Sequence, residues 1–299
     1  MRIIIDENYD GTLLKDYLYK ALGFSSASVK KVKYRDGGIL LNGEIVTVRC
    51  VLRRGDVLTL CVEDTPEDEN KYTVPVDIPL DVVFEDEYIT VVNKAPFMPS
   101  HPSLGHKDDT VANALAYRYR ARPYVFRPVN RLDRDTSGLI LTANDKISAG
   151  KLYRSMMRKE IKKSYTAILC GAPEEDCGVI SAYMCREGDS IVKRRVCNEG
   201  DDGAKLAITE YRVLSRTKTH SLVEAFPVTG RTHQLRVHFA NIGCPILGDT
   251  MYGSPSELIN RQALHASALT FPHPADGGIM TLHAKLSDDI EYAVSELGL

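Results

Sequence analysis

Arg131-Leu132-Asp133-Arg134-Asp135-Thr136-Ser137-Gly138 sets two carboxylates and two guanidiniums at the mouth of an apolar run, Leu139-Ile140-Leu141. An ordinary surface loop has no need of that charge density before a strand. Farther along, Gly230-Arg231-Thr232-His233-Gln234-Leu235-Arg236-Val237-His238 packs cations and hydrogen-bond donors into one short segment of helical spacing. The two clusters read as halves of one site in which carboxylates work beside guanidiniums. Other chemistries fit less well. His233 and His238 are five residues apart with no matching acidic or cysteine set, so no metal centre is expected. Ser137 and His233 could belong to a hydrolytic triad, yet Ser137 lacks a nucleophile-elbow sequence.

Such groups need a scaffold. Leu139 to Ala143 reads as a strand, Asp145 to Glu160 as an amphipathic helix with Ile147, Leu152 and Met156 inward, and Lys163 to Leu169 as a further strand. Upstream, Asp81 to Lys94 reads as two strands across an acidic turn and Thr110 to Tyr119 as a helix. Strands and helices are interspersed without regular alternation. That predicts an α+β domain over residues 80–299, with a mixed, largely antiparallel sheet.

The start of the chain has its own pattern. Leu13, Leu14, Tyr17, Leu18, Ala21 and Leu22 recur at helical spacing. Ser25 or Ser26 can cap a second helix carrying Val29 and Val32 on one face and Lys30, Lys31 and Lys33 beside it, stopped by Gly37 and Gly38. Ile39-Leu40-Leu41, the Asn42-Gly43 turn and Glu44-Ile45-Val46 predict a hairpin, and Arg53-Arg54-Gly55-Asp56 turns into a last strand, Val57 to Leu60. This order of elements resembles the S-four-type RNA-binding domain of a small-subunit ribosomal protein, a small α+β unit over residues 1–62. The resemblance implies that Lys30, Lys31, Lys33, Arg53 and Arg54 meet RNA phosphates, where a bare basic helix would read as a solvated face.

Composition bounds the rest. At 299 residues with ordinary apolar content the chain can bury a large core, and its length favours about two domains. Net charge is −2, but the cations cluster between Lys15 and Arg54. The sign then reverses at Glu63, Asp64, Glu67, Asp68 and Glu69, in a proline-containing stretch read as an acidic linker over residues 63–79. The 7 cysteines are odd in number and never closely paired, which predicts reduced, structural thiols. No apolar run approaches the roughly 18 residues of a membrane span, and the first residues do not form a signal peptide, so a cytoplasmic protein is expected.

Taken in order, the 131–138 run, Lys163-Ser164-Tyr165-Thr166-Ala167 and the 230–238 run resemble the three signatures of the RluA/RluD-type RNA pseudouridine synthases. Lesser echoes stand at Val91 to Lys94, His101-Pro102, Gly248 to Gly253 and Leu264-His265-Ala266. The resemblance implies isomerisation of uridine: the ribose–nitrogen bond breaks, the freed uracil turns, and ribose bonds to carbon 5. No atoms or electrons are gained or lost, so no cofactor is required. Asp133 matches the family's catalytic aspartate. Full burial would raise such a carboxyl by about 3 to 5 units, and an adjacent guanidinium lowers it by about 1 to 3, the part assigned to Arg236.

The resemblance further implies that Tyr165 stacks on the uracil and that Arg131 holds the extruded nucleotide. Thr136, Arg231 and His233 join them as expected substrate contacts. So does Asn130, which stands where the family commonly carries His; an amide can orient but cannot titrate near neutrality. The basic residues of the helix after Asp145, Lys146, Lys151, Arg154, Arg158 and Lys159, followed by Lys162 and Lys163, offer a surface able to guide RNA into the site. The expected partner is RNA, ribosomal of the large subunit ahead of transfer RNA, with no membrane and no obligate protein partner. The rival readings are a noncatalytic structured-RNA-binding protein and a carboxylate-based nucleoside hydrolase releasing free base.

Overall fold

The computed structural model describes residues 1–24, 26–62, 64, 73–188, 190 and 192–299, Ala27 without its side chain. Four short strands open the chain: β1 (Arg2–Ile4), β2 (Ile39–Leu41), β3 (Glu44–Ile45) and β4 (Val57–Leu60), in the antiparallel order β1-β4-β2-β3. At the Asn42-Gly43 turn both residues have positive φ, 54° and 89°, which a two-residue hairpin turn requires if it is to follow the twist of its strands. A helical stretch α1 (Leu14–Asp16, continuing as a π turn over Tyr17–Ala21) and the helix α2 (Ser26–Lys33) close over this sheet. Leu14, Leu18, Leu22, Val29 and Val32 meet Ile39, Leu58 and Leu60 in a separate core. The strand β1 was not expected, since three residues are too few to show an alternation.

Ser25, Glu63 and residues 65–72 lie outside the described residues, and with them much of the stretch read as a linker. Its last part is tied to the next domain, where Asn113 donates to the Val74 carbonyl at 2.7 Å and accepts the Val76 amide through its own carbonyl at 3.2 Å.

The second sheet has ten strands: β5 (Asp81–Glu85), β6 (Ile89–Lys94), β7 (Ser137–Ala143), β8 (Lys162–Cys170), β9 (Cys177–Arg186), β10 (Arg194–Cys197), β11 (Lys205–Arg216), β12 (His220–Pro227), β13 (Leu264–Pro272) and β14 (Ile279–His283). They run in the order β10-β9-β11-β12-β8-β13-β7-β6-β5, with β14 on β13, and every pair is antiparallel except β13 with β7. Helices α3 (Val111–Arg118), α4 (Lys146–Met157), α5 (Gln234–Asn241) and α6 (Asp288–Leu297) cover its faces. This is the α+β, largely antiparallel architecture that the interspersed elements predict.

The strand β7 shows why the centre of this sheet is rigid. Ile140 packs with α3, α5 and α6, while Leu139 and Leu141 pack on the other face with Leu152 of α4, so both faces are apolar and all seven residues are buried. Where β7 meets β13, a Cβ at Gly138 would sit 2.3 Å from the Ala266 carbonyl oxygen, and the residue's φ is +110°. Glycine alone allows that approach.

Helix α4 departs from its sequence reading in two ways. Ile147 and Leu152 are buried, but Met156 is exposed, because the final turn overhangs the cavity described below. The basic face is also largely consumed within the molecule. Lys151 binds the Pro274 carbonyl, Arg154 binds the carbonyls of Lys20 and Ala21, and Lys146 pairs with Asp64. The Arg154 bonds dock the N-terminal unit on α4, whose Gly150 lies so close to Gly23 that a Cβ would come within 2.5 Å of its carbonyl. Among the described residues no helix is long and apolar enough to cross a membrane.

Candidate active site

The loop before β7 is held rigid by polar side chains bonded to its backbone. Asn130 donates to the Leu139 carbonyl at 2.9 Å and accepts the Leu141 amide at 2.8 Å, clamping the loop to the strand it precedes. Ser100 bridges the amide and carbonyl of Leu132. Lys94 reaches the Arg134 carbonyl at 2.8 Å, and Arg261 reaches that of Asp135 at 2.9 Å. The Thr136 hydroxyl accepts from Gln262, and the Thr136 amide closes a turn on the Asp133 carbonyl at 3.1 Å. Burial, and secondarily the Arg261 charge, push the Lys94 ammonium down to about 7. The carbonyls of Leu132, Asp133, Arg134 and Asp135 are thus each satisfied.

This frame presents the Asp133 side chain, 31% exposed, at a cavity of about 490 Å³. The second cluster forms the opposite wall. It is not helical throughout: residues 230–233 are a loop, His233 has a left-handed backbone with φ 57°, and α5 begins at Gln234. Gln234 staples this loop to β11, donating to the Ile208 carbonyl and the Thr209 hydroxyl and accepting from the Thr229 hydroxyl and the Arg231 amide.

Arg236, on the first turns of α5, brings Nη1 to 3.5 Å from Asp133 Oδ2. Its other edge grips Asp249, Nε to Oδ2 at 2.7 Å and Nη2 to Oδ1 at 2.8 Å. Burial works against the Arg236 charge, but the hydrogen bonds and charge of Asp249, with that of Asp133, outweigh it and push the guanidinium up. His233 sits 3.8 Å from Asp133 through Nε2 and shares a 2.9 Å bond with the Tyr252 hydroxyl through Nδ1. Burial lowers its pKa despite the Asp133 charge, so the ring is neutral at pH 7. Tyr252 in turn accepts the Arg194 amide at 2.9 Å, which fixes the hydroxyl that holds the His233 ring with Nε2 toward Asp133.

Tyr165, on β8, forms the buried floor of the cavity, and burial followed by the Asp133 charge pushes its phenol up, keeping it protonated. Lys163, two residues earlier on the same face, also lines the cavity, and burial pushes its ammonium down. Arg131 is exposed at the rim, where burial and then its charge lower the pKa of His101.

Eight residues read from the sequence, Asn130, Arg131, Asp133, Thr136, Tyr165, Arg231, His233 and Arg236, therefore line one cavity. They divide by what their polar atoms do. Asn130 and Thr136 are engaged with the protein frame, so they hold the loop, and Arg231 binds the Leu206 carbonyl. Asp133, Arg131 and Tyr165 face the cavity itself. The N-terminal cations are elsewhere. Lys30, Lys31 and Lys33 are exposed on α2, Arg53 is exposed in the turn before β4, and Arg54 pairs with Glu7 at 3.2 Å. Asp249, Tyr252 and Lys94 were not singled out as site residues, although each stands in one of the lesser echoes. A buried acid in a glycine-rich stretch carries no sign of the arginine it will meet.

Comparison with known proteins agrees with this geometry. The model of the RNA pseudouridylate synthase family matches residues 88–241. The chain is 35% identical over 275 residues to an RNA pseudouridine synthase of Bacillus subtilis (strain 168), covering 91% of this chain and 95% of that one. It is 35% identical over 272 residues to the ribosomal large subunit pseudouridine synthase D of Vibrio cholerae, covering 85% and 82%. Its fold is similar to that of human RNA pseudouridylate synthase domain containing 4, with a TM-score of 0.60 at 25% identity over 73% of this chain and 93% of that one.

Proposed function

We propose, on the premise that this chain belongs to the RNA pseudouridylate synthase family and converts uridine in RNA to pseudouridine, that Asp133 is its catalytic carboxylate and large-subunit ribosomal RNA its substrate. The observation that carries the catalytic reading is the approach of Asp133 to Arg236, 3.5 Å apart at the wall of one cavity although drawn from distant parts of the chain.

The reaction breaks the bond from ribose C1′ to uracil N1 and makes one from C1′ to C5; the proton on C5 leaves and N1 gains one. Asp133 works on the ribose or the base as an ionised group, nucleophile or base. The guanidinium of Arg236, anchored from behind by Asp249, keeps a positive charge beside it throughout. Neutral His233, its Nε2 3.8 Å from the same carboxylate, lines that wall without adding charge. Tyr165 supplies a ring face on which the uracil stacks, and its protonated phenol can donate to the base but not accept a proton from it. The scissile bond is out of reach inside a helix, so the nucleotide must be extruded, and Arg131 at the rim is placed to hold its backbone or fill the gap it leaves.

The N-terminal unit supplies affinity in this reading. Lys30, Lys31, Lys33 and Arg53 meet phosphates, with Arg54 weakened as a contact by its pairing with Glu7. The target is supported by relatives named as large-subunit ribosomal pseudouridine synthases that share about a third of their residues with this chain. A ribosomal substrate places the enzyme in the cytoplasm. Incubating the protein with unmodified large-subunit ribosomal RNA and with transfer RNA, then mapping pseudouridine, tests the assignment. Pseudouridine at a defined ribosomal site is expected; modification confined to transfer RNA would contradict it.

A further inference from the structure

Away from the cavity, β9 and β10 bring two cysteines together. In their antiparallel register Cys185 faces Arg195 and Cys197 faces Tyr183, so both thiols lie on one face of the ribbon, offset by two residues. Cys185 is buried and Cys197 half-buried. Just past β10 the chain turns back, and a carboxylate oxygen of Asp201 and the two sulfurs all lie within 4.8 Å of one another. Asp201 is held in place: its Oδ2 accepts the Asn198 amide at 3.2 Å and sits 3.4 Å from Arg195 Nη2.

We propose that Cys185, Cys197 and Asp201 form a three-ligand site for a thiophilic divalent cation, with Zn2+ the ion that fits it and solvent in the fourth position. Two sulfurs and a carboxylate oxygen are ligands that zinc accepts, and tetrahedral bonds of about 2.3 Å put two sulfurs roughly 3.8 Å apart. Ligand atoms already within 4.8 Å of one another need to close by about 1 Å at most. A disulfide fits less well. Diagonal neighbours on an antiparallel ribbon stand about 7–8 Å apart, beyond the usual disulfide range of about 4.4–6.8 Å between Cα atoms.

The charges also close. Two thiolates and a carboxylate around a divalent cation carry one net negative charge, and Arg195, already beside Asp201, offsets it. Binding releases the two thiol protons, so the cation is held more tightly as the pH rises. An ion held there clips β10 to β9. The Arg194 amide that begins the path through Tyr252 and His233 to Asp133 belongs to that same strand.

The test uses the full chain, reduced and stripped of metal, titrated with Co2+ and then with Zn2+. A thiolate–Co2+ charge-transfer band displaced by one equivalent of Zn2+ is expected. Cys197→Ser and Asp201→Asn should each weaken Zn2+ binding by at least about tenfold and abolish the rise in Tm that Zn2+ gives the parent protein. Cys177→Ser, at an exposed cysteine on the same strand as Cys185, should change neither. Absence of the band, or a Zn2+ affinity that Cys197→Ser leaves unaltered, would overturn the assignment.

Discussion

Arg236 and Asp249 form a two-bond ion pair sealed from solvent, and its geometry fixes where the remaining nitrogen of the guanidinium points: Nη1, 3.5 Å from Asp133. A guanidinium is planar, so clamping one edge aims the other. Asp249 is itself oriented by the amides of Met251 and Tyr252, at 3.0 and 3.2 Å. The charge beside Asp133 is thus set by a second carboxylate that is buried behind the cavity wall.

Removing that clamp should cost stability and activity together. Asp249→Ala strips the buried guanidinium of both its short bonds, leaving only the 3.5 Å approach of Asp133, and should destabilise the fold by about 3 kcal/mol, read as a lower urea midpoint. Arg236→Lys keeps a positive charge but loses the fork, so kcat should fall while the midpoint moves much less. Equal midpoints for Asp249→Ala and the parent would refute the clamp.

Gly138→Ala tests the junction that carries the loop. A methyl group there meets the Ala266 backbone at 2.3 Å with φ at +110°, so β7 and β13 must separate or the backbone must rotate. A loss of at least about 2 kcal/mol is expected, checked by urea unfolding.

Acid should weaken the fold through two buried histidines. Burial lowers His238 and His265 to about 4, with the Arg261 charge contributing at His265; each has Nδ1 bonded, to Thr209 and Ser137 respectively. The unfolded chain takes up these protons near 6.5 and the native chain does not, so protons favour unfolding. Their contribution to stability is intact above about 6.5 and declines as the pH falls toward 4. Urea midpoints at pH 7, 6 and 5 should therefore decrease in order, and His238→Asn should flatten that trend.

Much of this was legible in the sequence, for a physical reason. The hairpin around Asn42-Gly43, the last strand of the N-terminal sheet and the elements β5 to β8 declare themselves by local periodicity and turn chemistry, which need no knowledge of partners. The meeting of Asp133 with Arg236 was expected from the likeness of two charged clusters to signatures of one family. What stayed hidden was pairing across distance. Helical spacing put Met156 inward because periodicity does not say where a helix outruns its core. Lys146, Lys151 and Arg154 looked like an RNA-facing surface, yet their charges went to Asp64 and to carbonyls from opposite ends of the chain. Asn130 stood for a missing histidine and proved to be a clamp on β7.

The N-terminal cations give a prediction that depends on salt. If Lys30, Lys31 and Lys33 each meet a phosphate, replacing all three with Gln should weaken binding and reduce the slope of log affinity against log salt by about 2 to 3. An unchanged slope would remove these lysines from the interface.

The central claim is that a single carboxylate does the chemistry, and Asp133→Asn measures it most directly. The amide keeps the size of the side chain and its place beside Arg236 but can neither attack nor take a proton. Pseudouridine formation in large-subunit ribosomal RNA should fall by at least about a thousandfold, with RNA affinity and Tm close to those of the parent. Pseudouridine forming at a comparable rate in that variant would contradict the account.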